Sequence, residues 1–320
     1  MQNTTVTLTR CSDYSSPAIA EALQRQFTLL GGLQKFVKAS DSVLLKPNFL
    51  APKSRRHAVQ TDPAVIIETA KLLKDFGAKP FVADSPAWSN VFTCVKKLKL
   101  QEPLRKLNVP VKQLDKPKRV RIGKAHTKLG ISSIALDADV IINLPKLKTH
   151  QQLTASFAVK NMFGTVTGKQ KAYLHFAKGK TQHRFAELLI EIYKFLNPAL
   201  TIVDAVIAME GPGPIKGTPK KLGCLIGSTE PIACETVCAK LINIDPRDVP
   251  IMEAARLMRF GCSDFDKINI VGDDLSRNIC NDFVIPDLIP VRFSLPHVCK
   301  SIAKQIILLA KSTLKSKTKN

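Results

Sequence analysis

Residues 42–85, SVLLKPNFLAPKSRRHAVQTDPAVIIETAKLLKDFGAKPFVADS, decide the fold of this chain. The compact apolar run SVLLK, which a proline stops, is typical of a buried strand. A helix follows it: Thr61 or Asp62 is suited to cap its N-terminus, Pro63 to its first turn, and Gly77 to its end. The run PFVADS is then a second strand. This order of strand, helix and strand, with nearly continuous apolar strands, predicts a parallel sheet covered on both faces.

The same alternation extends along the rest of the chain. Further strands are predicted at residues 6–9, 139–144, 200–209, 221–228 and 267–272, and further helices at 17–30, 153–163, 181–196, 230–243 and 295–315. We therefore predict an α/β fold, a mostly parallel sheet with helices on both faces. The 320 residues, 45% of them hydrophobic, suffice for a single domain over residues 1–295, followed by a basic amphipathic helix and tail at 296–320.

The net charge of +22 is unevenly distributed along the chain. Residues 96–128 carry a net charge of +10, and residues 300–320 carry +6. The first segment holds two short candidate strands, VPVKQL and KRVRIG, so we expect a basic insertion or small subdomain at 96–128. A solvated basic face explains both segments better than a nucleic-acid site, because aromatic residues are not interleaved with the basic ones. A nucleic-acid-associated protein using 96–128 and the lysine tail is therefore the alternative function.

The sequence also indicates a compartment. No apolar run is long enough to span a membrane, and the first residues lack the pattern of a signal peptide, so we expect a cytoplasmic protein with no transmembrane segment. The apolar core of the C-terminal segment, IAKQIILLAK, would contact a membrane surface or, more simply, dock onto the domain. The eight cysteines form no Cys-x-x-Cys pair and are interpreted as reduced, mostly buried thiols.

Polar side chains follow the ends of several predicted strands. The carboxyl ends of parallel strands meet at one edge of a sheet, so these residues share a cleft if their strands are neighbours. Lysines bind multiply charged anions as point charges, and asparagine, histidine and the amides of a glycine-rich loop supply directional hydrogen bonds. The sequence therefore predicts a carboxylate or phosphate site formed by Lys46 and Asn48, by Asp84, by Lys146, Lys148 and His150, and by Asp204 with the loop that contains Gly211 and Gly213.

Each of these residues also has a structural interpretation. Lys146, Lys148 and His150 alternate on an extended segment, which gives them one common face that is either a site or solvated. Lys160 and Asn161 could cap a helix C-terminus. We place His175 in a loop between helices, where a structural role and a catalytic role are about equally favoured. The glycines of the loop at 211–217 serve either a close approach to a ligand or a tight turn.

The order of several motifs is similar to that of a known family. The motifs are KPN at 46–48, TDP at 61–63, ADSP at 83–86, INLPKLKTH at 142–150, KNMFG at 160–164, His175, VDAVIAMEGPGP at 203–214 with KGTP after it, and EPIACETVCAKLINIDP at 230–246. Together they resemble the DUF362 family over residues 46–250. Many members carry an iron-sulfur module, whose Cys-x-x-Cys-x-x-Cys runs are missing here. Glu230 and Glu235 stand where the resemblance implies aspartates.

The resemblance implies a shared site and no particular reaction. We expect an enzyme or ligand-binding protein that acts on a small anionic metabolite, with redox chemistry only through a separate electron-transfer partner. No iron-sulfur cluster is expected in this chain, and a divalent metal held by Asp84, Asp204 and Glu235 remains an open alternative. The proposed catalytic residues are His150, His175 and Asp204, and the proposed substrate-binding residues are Lys46, Asn48, Asp84, Lys146, Lys148, Lys160, Asn161, Gly211 and Gly213.

Overall fold

A computed structural model describes residues 4–87, 89–123, 125–168, 170–179 and 181–291 of the chain. The strands are β1 Thr4–Arg10, β2 Ser42–Pro47, β3 Lys79–Asp84, β4 Val111–Gln113, β5 Pro117–Ile122, β6 Thr127–Ser132, β7 Val140–Leu144, β8 Lys146–His150, β9 Thr154–Ser156, β10 Leu200–Glu210, β11 Thr218–Ser228 and β12 Ile268–Gly272. The α-helices are α1 Ser16–Leu29, α2 Pro63–Asp75, α3 Val91–Lys97, α4 Gln101–Lys106, α5 Ser133–Leu136, α6 Ala158–Asn161, α7 Gln170–Lys178, α8 Gln182–Leu196, α9 Pro231–Leu241 and α10 Pro250–Leu257.

Ten of these strands form one mixed sheet, in which parallel pairings predominate. The strand order is β12-β1-β11-β10-β7-β2-β3-β4, with β8 paired to β10 and β9 paired to β8. The central strands β10, β7, β2 and β3 are mutually parallel. Antiparallel pairs occur where β11 lies between β10 and β1, and where β9 turns back along β8. The predicted fold class, a mostly parallel α/β sheet, is confirmed.

Strand β2 shows why both faces of the sheet need helices. Its side chains Val43 and Leu45 pack into a core that contains residues of α1 and α2, whereas Leu44 packs into a second core with residues of α8. Helix α2 begins where the sequence predicts, because the side chain of Asp62 accepts a hydrogen bond from the backbone N–H of Ala64. The consecutive apolar residues of β2, Val43 to Leu45, therefore indicate burial on both faces.

One of these secondary-structure predictions needs correction. The helix predicted at 153–163 is wrong over its first half, where β9 forms a hairpin with β8 and α6 begins only at Ala158. The apolar residues Leu153, Ala155 and Phe157 alternate with polar ones, a spacing that suits a strand better than a helix. The strand predicted at 267–272 exists as β12, but it pairs only with β1 at the edge of the sheet. The predicted C-terminal helix lies outside the described residues.

The strands of the basic segment 96–128 belong to two different sheets. Strand β4 pairs with β3 and so completes one edge of the main sheet. Strands β5 and β6 form a separate two-stranded hairpin, whose Ile122 and Leu129 are buried in the same core as α8. The basic side chains of this hairpin, including Lys118, are exposed. Among the helices of the described ranges, none combines the length and the apolar character needed to cross a bilayer.

Candidate functional site

The strand order brings most of the polar residues predicted from the sequence to one edge of the sheet. Strands β3, β2, β7 and β10 are consecutive neighbours and run in the same direction. Lys46 therefore lies near the end of β2 beside Asp84 at the end of β3, while β8 continues directly from β7 and carries Lys148 and His150 to the same edge. This is the edge at which parallel sheets bind ligands.

A buried ion pair joins β2 to β3. The Nζ atom of Lys46 lies 2.7 Å from Oδ1 of Asp84, and both side chains are almost completely buried. The carboxylate also accepts hydrogen bonds from the backbone N–H groups of Phe49 and Ser85, at 2.7 Å each. Burial lowers the pKa of Lys46, although the charge of Asp84 opposes that change. Gly164 covers the pair so closely that a Cβ atom there would lie 2.7 Å from Nζ of Lys46.

Three asparagines connect this ion pair to the surrounding elements. The amide of Asn161 donates to the carbonyl of Lys46 at 2.9 Å and to Oδ1 of Asn143 at 2.8 Å. Its own oxygen accepts from Lys46 at 3.4 Å and from Asn48 at 3.2 Å. Asn161 thus fixes α6 against the ends of β2 and β7, and its role goes beyond capping that helix.

Lys148 enters the same network from β8. It donates hydrogen bonds to Oδ1 of Asn48 and, at 2.8 Å, to the carbonyl of Val59. Burial and the neighbouring charge of Lys160 lower the pKa of Lys148 well below its usual value. Because Lys146, Lys148 and His150 are each at most 4% exposed, they do not form a solvated face.

Two more lysines complete the cluster. Lys160, in the last turn of α6, and Lys171, in α7, are half-buried, so each side chain keeps some exposure to solvent. Burial lowers the pKa of Lys160 to about 8 and that of Lys171 to about 7. Lys171 donates to the carbonyl of Ser85, beside Asp84. Sequence reasoning missed Lys171, because it lies in a segment that we had assigned to a loop. We call Lys46, Lys148, Lys160 and Lys171 the lysine cluster.

Both candidate histidines border the lysine cluster as neutral imidazoles. Nδ1 of His150 accepts a hydrogen bond from the backbone N–H of Gln152 at 3.1 Å, so its proton resides on Nε2. Burial, followed by the charge of Lys160, lowers the pKa of His150 well below its usual value and that of His175 to about 3. His175 lies in α7 and not in the predicted loop, and it packs on the ring of Phe185 with centroids 4.3 Å apart.

Asp204 and Lys146 belong to a second network. Lys146 donates to Asp204 at 3.0 Å and to the hydroxyl of Tyr14 at 2.6 Å, and that hydroxyl donates to the other oxygen of Asp204 at 2.7 Å. Asp204 also accepts from the backbone N–H of Asp62 at 2.9 Å. Asp204 and Lys146 form an ion pair. Because Asp204 also accepts from the N–H of Asp62, it links β10 to the N-terminus of α2. Tyr14 gave no signal in the sequence.

The glycine loop and the acidic residues of α9 have structural contacts. Gly213 packs on the backbone of Thr149, next to His150, too closely to leave space for a side chain. Gly211 donates its N–H to the carbonyl of Val284 at 2.7 Å. Glu230 caps the N-terminus of α9. Oε1 of the buried Glu235 accepts from the N–H of Val159 in the first turn of α6, and burial raises the pKa of Glu235 to about 7.

The described residues include no group of three or more His, Cys, Asp or Glu side chains placed to hold a metal ion. Asp84, Asp204 and Glu235 therefore do not converge as one ligand set. Each instead has a separate partner, which is Lys46, Lys146 or the first turn of α6. Seven described cysteines are free thiols, and five of them are buried.

The sequence matches the family described as Domain of unknown function (DUF362) over residues 43–240, which is more than half of the chain. The chain belongs to the DUF362 family. The matched range contains the whole lysine cluster, both histidines and Glu235, so the site lies within the part shared with DUF362 proteins. The resemblance inferred from the motifs is confirmed.

Two further comparisons extend this result. The Thylakoid-associated protein sll1697 of Synechocystis sp. is 34% identical to this chain over 311 residues, which cover 95% of the chain and 94% of the relative. The lactate racemase apoprotein from Thermoanaerobacterium thermosaccharolyticum shares 15% identity and a TM-score of 0.46, over 72% of this DUF362 chain and 56% of that protein. The chain thus matches little more than half of the racemase, and the likeness carries no argument about activity.

Proposed function

We propose that the lysine cluster binds a small carboxylate or phosphate metabolite, on which the protein acts as an enzyme or as a specific binding protein. One observation supports this most: four lysines from β2, β8, α6 and α7 lie close enough to influence one another's charge, and only Lys46 among them is ion-paired, with Asp84. Like charges repel one another most strongly where water is excluded, so such a cluster is costly when it is empty. A bound anion offsets that cost.

The charge balance favours a ligand with at least two negative charges. Asp84 forms an ion pair with one of the four lysines, both imidazoles are neutral, and the other three lysines form no ion pair with a described carboxylate. The pair of Lys146 and Asp204 contributes no net charge. A dicarboxylate or a phosphate supplies the missing negative charge and several hydrogen-bond acceptors, which a monocarboxylate supplies only in part.

Isothermal titration calorimetry with inorganic phosphate and with succinate tests this proposal. We expect saturable binding to the full chain that Lys148→Met weakens at least about tenfold, because a charge-assisted hydrogen bond contributes roughly 1.5–3 kcal/mol. Lys106→Met is the matched control, since Lys106 is an exposed lysine at the end of α4. Equal affinity in the two variants, or no binding of either anion, would refute the site.

A second candidate function uses the exposed cations of the β5–β6 hairpin. Lys118, Arg119 and Arg121 lie on one exposed strand, far enough from acidic partners that none forms an ion pair with another described residue. This arrangement suits nucleic acid or an anionic membrane surface. The relative from Synechocystis is named for association with thylakoids, which supports contact of a cytoplasmic protein with a membrane surface.

Cosedimentation with anionic vesicles and with duplex DNA distinguishes these partners. We expect binding to the vesicles that falls steeply with salt and is lost when the three hairpin cations are changed to glutamate. Binding to DNA alone would favour the nucleic-acid alternative. If the variant binds both as well as the wild type does, the hairpin has no role in either interaction.

A further inference from the structure

One member of the lysine cluster differs from the other three. Lys46, Lys148 and Lys171 each donate hydrogen bonds to fixed acceptors: a carboxylate, an amide oxygen or a backbone carbonyl. Lys160 makes no hydrogen bond and no ion pair with any residue of the described ranges. Its amine is therefore available to react, whereas the other three amines are held in place by their acceptors.

The charge of Lys160 also acts on several neighbouring titratable groups. Its charge contributes to lowering the pKa of Lys148, of Lys171, of His150 and of His175, and it is the residue whose charge acts on all four. These groups come from β8 and α7, so Lys160 on α6 is close enough to both elements for its charge to act on them. Burial alone accounts for the lowered pKa of Lys160. No described carboxylate raises that pKa again.

We propose that Lys160 forms an imine with the carbonyl group of an anionic oxo acid bound in the lysine cluster. This inference rests on the proposed function, because the other lysines must first hold the carboxylates of the ligand. An amine that is surrounded by cations and free of acceptors is the arrangement that activates lysine as a nucleophile. Its half-buried position gives a ligand access to it.

Imine formation at Lys160 requires neither an oxidant nor a metal. The neutral amine of Lys160 attacks the carbonyl carbon, and a C–N bond forms while the carbonyl oxygen takes a proton. Loss of that oxygen as water breaks the C–O bond and leaves a protonated imine. Overall, an ammonium and a ketone give an iminium and one water. With a pKa of about 8, roughly a tenth of the Lys160 side chains are already neutral at pH 7.

The histidines suit the proton transfers of this reaction. His150 carries its proton on Nε2, since Nδ1 already accepts from the backbone of Gln152. The Nε2–H group can donate its proton to the carbonyl oxygen as the C–N bond forms. Nε2 then takes back the proton that the attacking nitrogen releases, so the imidazole is neutral again before water leaves. The remaining lysines would bind the carboxylates, which favours 2-oxo dicarboxylates over neutral ketones.

Reductive trapping tests the inference. The full chain is incubated with 2-oxoglutarate, pyruvate or acetone, sodium cyanoborohydride is added, and the intact mass and the tryptic peptides are measured. We expect one 2-oxoglutarate adduct per chain, located on Lys160, with less adduct from pyruvate and least from acetone. Inorganic phosphate should protect the site by competition.

Two variants distinguish a nucleophilic role of Lys160 from a role in anion binding alone. Lys160→Arg keeps the positive charge but cannot form an imine, so it should retain phosphate binding and lose the adduct. Lys106→Met should form as much adduct as the wild type. An adduct that persists in Lys160→Arg, or adducts spread over surface lysines, would overturn the inference. If phosphate binds the wild type but no adduct forms, the inference fails while the proposed function stands; if phosphate does not bind, both fail.

Discussion

Replacing Asp84 with asparagine should destabilise the protein severely, because Lys46 would lose its only carboxylate partner among the described residues. Breaking a buried ion pair by removing one partner costs roughly 3–5 kcal/mol. The exposed fractions of the two side chains, 0% for Lys46 and 2% for Asp84, place this pair in that class. Asparagine would also direct an NH2 group at one of the backbone N–H donors that Asp84 now satisfies. We therefore expect a loss of about 4 kcal/mol in the free energy of unfolding.

Urea unfolding followed by circular dichroism measures this loss at pH 7 and at pH 9.5. Lys46 without its partner can escape part of the cost by releasing its proton, so the variant should recover stability at the higher pH. Asp264→Asn, which removes an exposed ion pair with Lys267, is the matched control and should leave the urea midpoint unchanged. A loss below about 1 kcal/mol for Asp84→Asn would refute the reasoning, since that is the range of exposed pairs.

Gly164→Ala should weaken anion binding and lower the melting temperature, because the added methyl group would displace the Lys46–Asp84 pair; binding as tight as that of the wild type would contradict this packing. Glu235 has a folded pKa of about 7, above its ordinary value of 4.5, so its stabilising contribution is complete at low pH and is lost as pH rises through 7. Glu235→Gln should remove that decline from a urea-unfolding pH series, and an unchanged slope would contradict it. Lys160 has a folded pKa of about 8, below its ordinary value of 10.5, so the free energy of unfolding should rise between these pH values and should rise less in Lys160→Met.

The sequence was sufficient to predict the features that depend on residues close to one another along the chain. The caps and apolar runs of residues 42–85 predicted β2, α2 and β3, and the positions of Lys46 and Asp84 at strand ends followed from the parallel sheet. That those two residues form an ion pair was not predictable, because it depends on β2 and β3 being neighbours and on Gly164 closing over them. Which strands become neighbours depends on the whole chain and cannot be read from a local stretch of sequence.

The failures have identifiable physical causes. The roles of Lys146 and Lys148 differ, although both sit at alternate positions of β8, because only Lys146 lies opposite Asp204 in the register with β10. Tyr14 and Lys171 were missed because their partners are distant in sequence and neither belongs to a polar strand end. The sequence left open whether Asp84, Asp204 and Glu235 share one metal, because their separate partners, Lys46, Lys146 and α6, depend on tertiary contacts.

The most direct test of the central claim is a crystal structure of the protein grown with tungstate, a phosphate-sized anion that anomalous scattering locates without ambiguity. The account predicts one tungstate at the lysine cluster, within hydrogen-bond distance of the amines of Lys160 and Lys171, and its loss in Lys160→Met. Tungstate bound only along the exposed β5–β6 hairpin, with the lysine cluster empty, would contradict it.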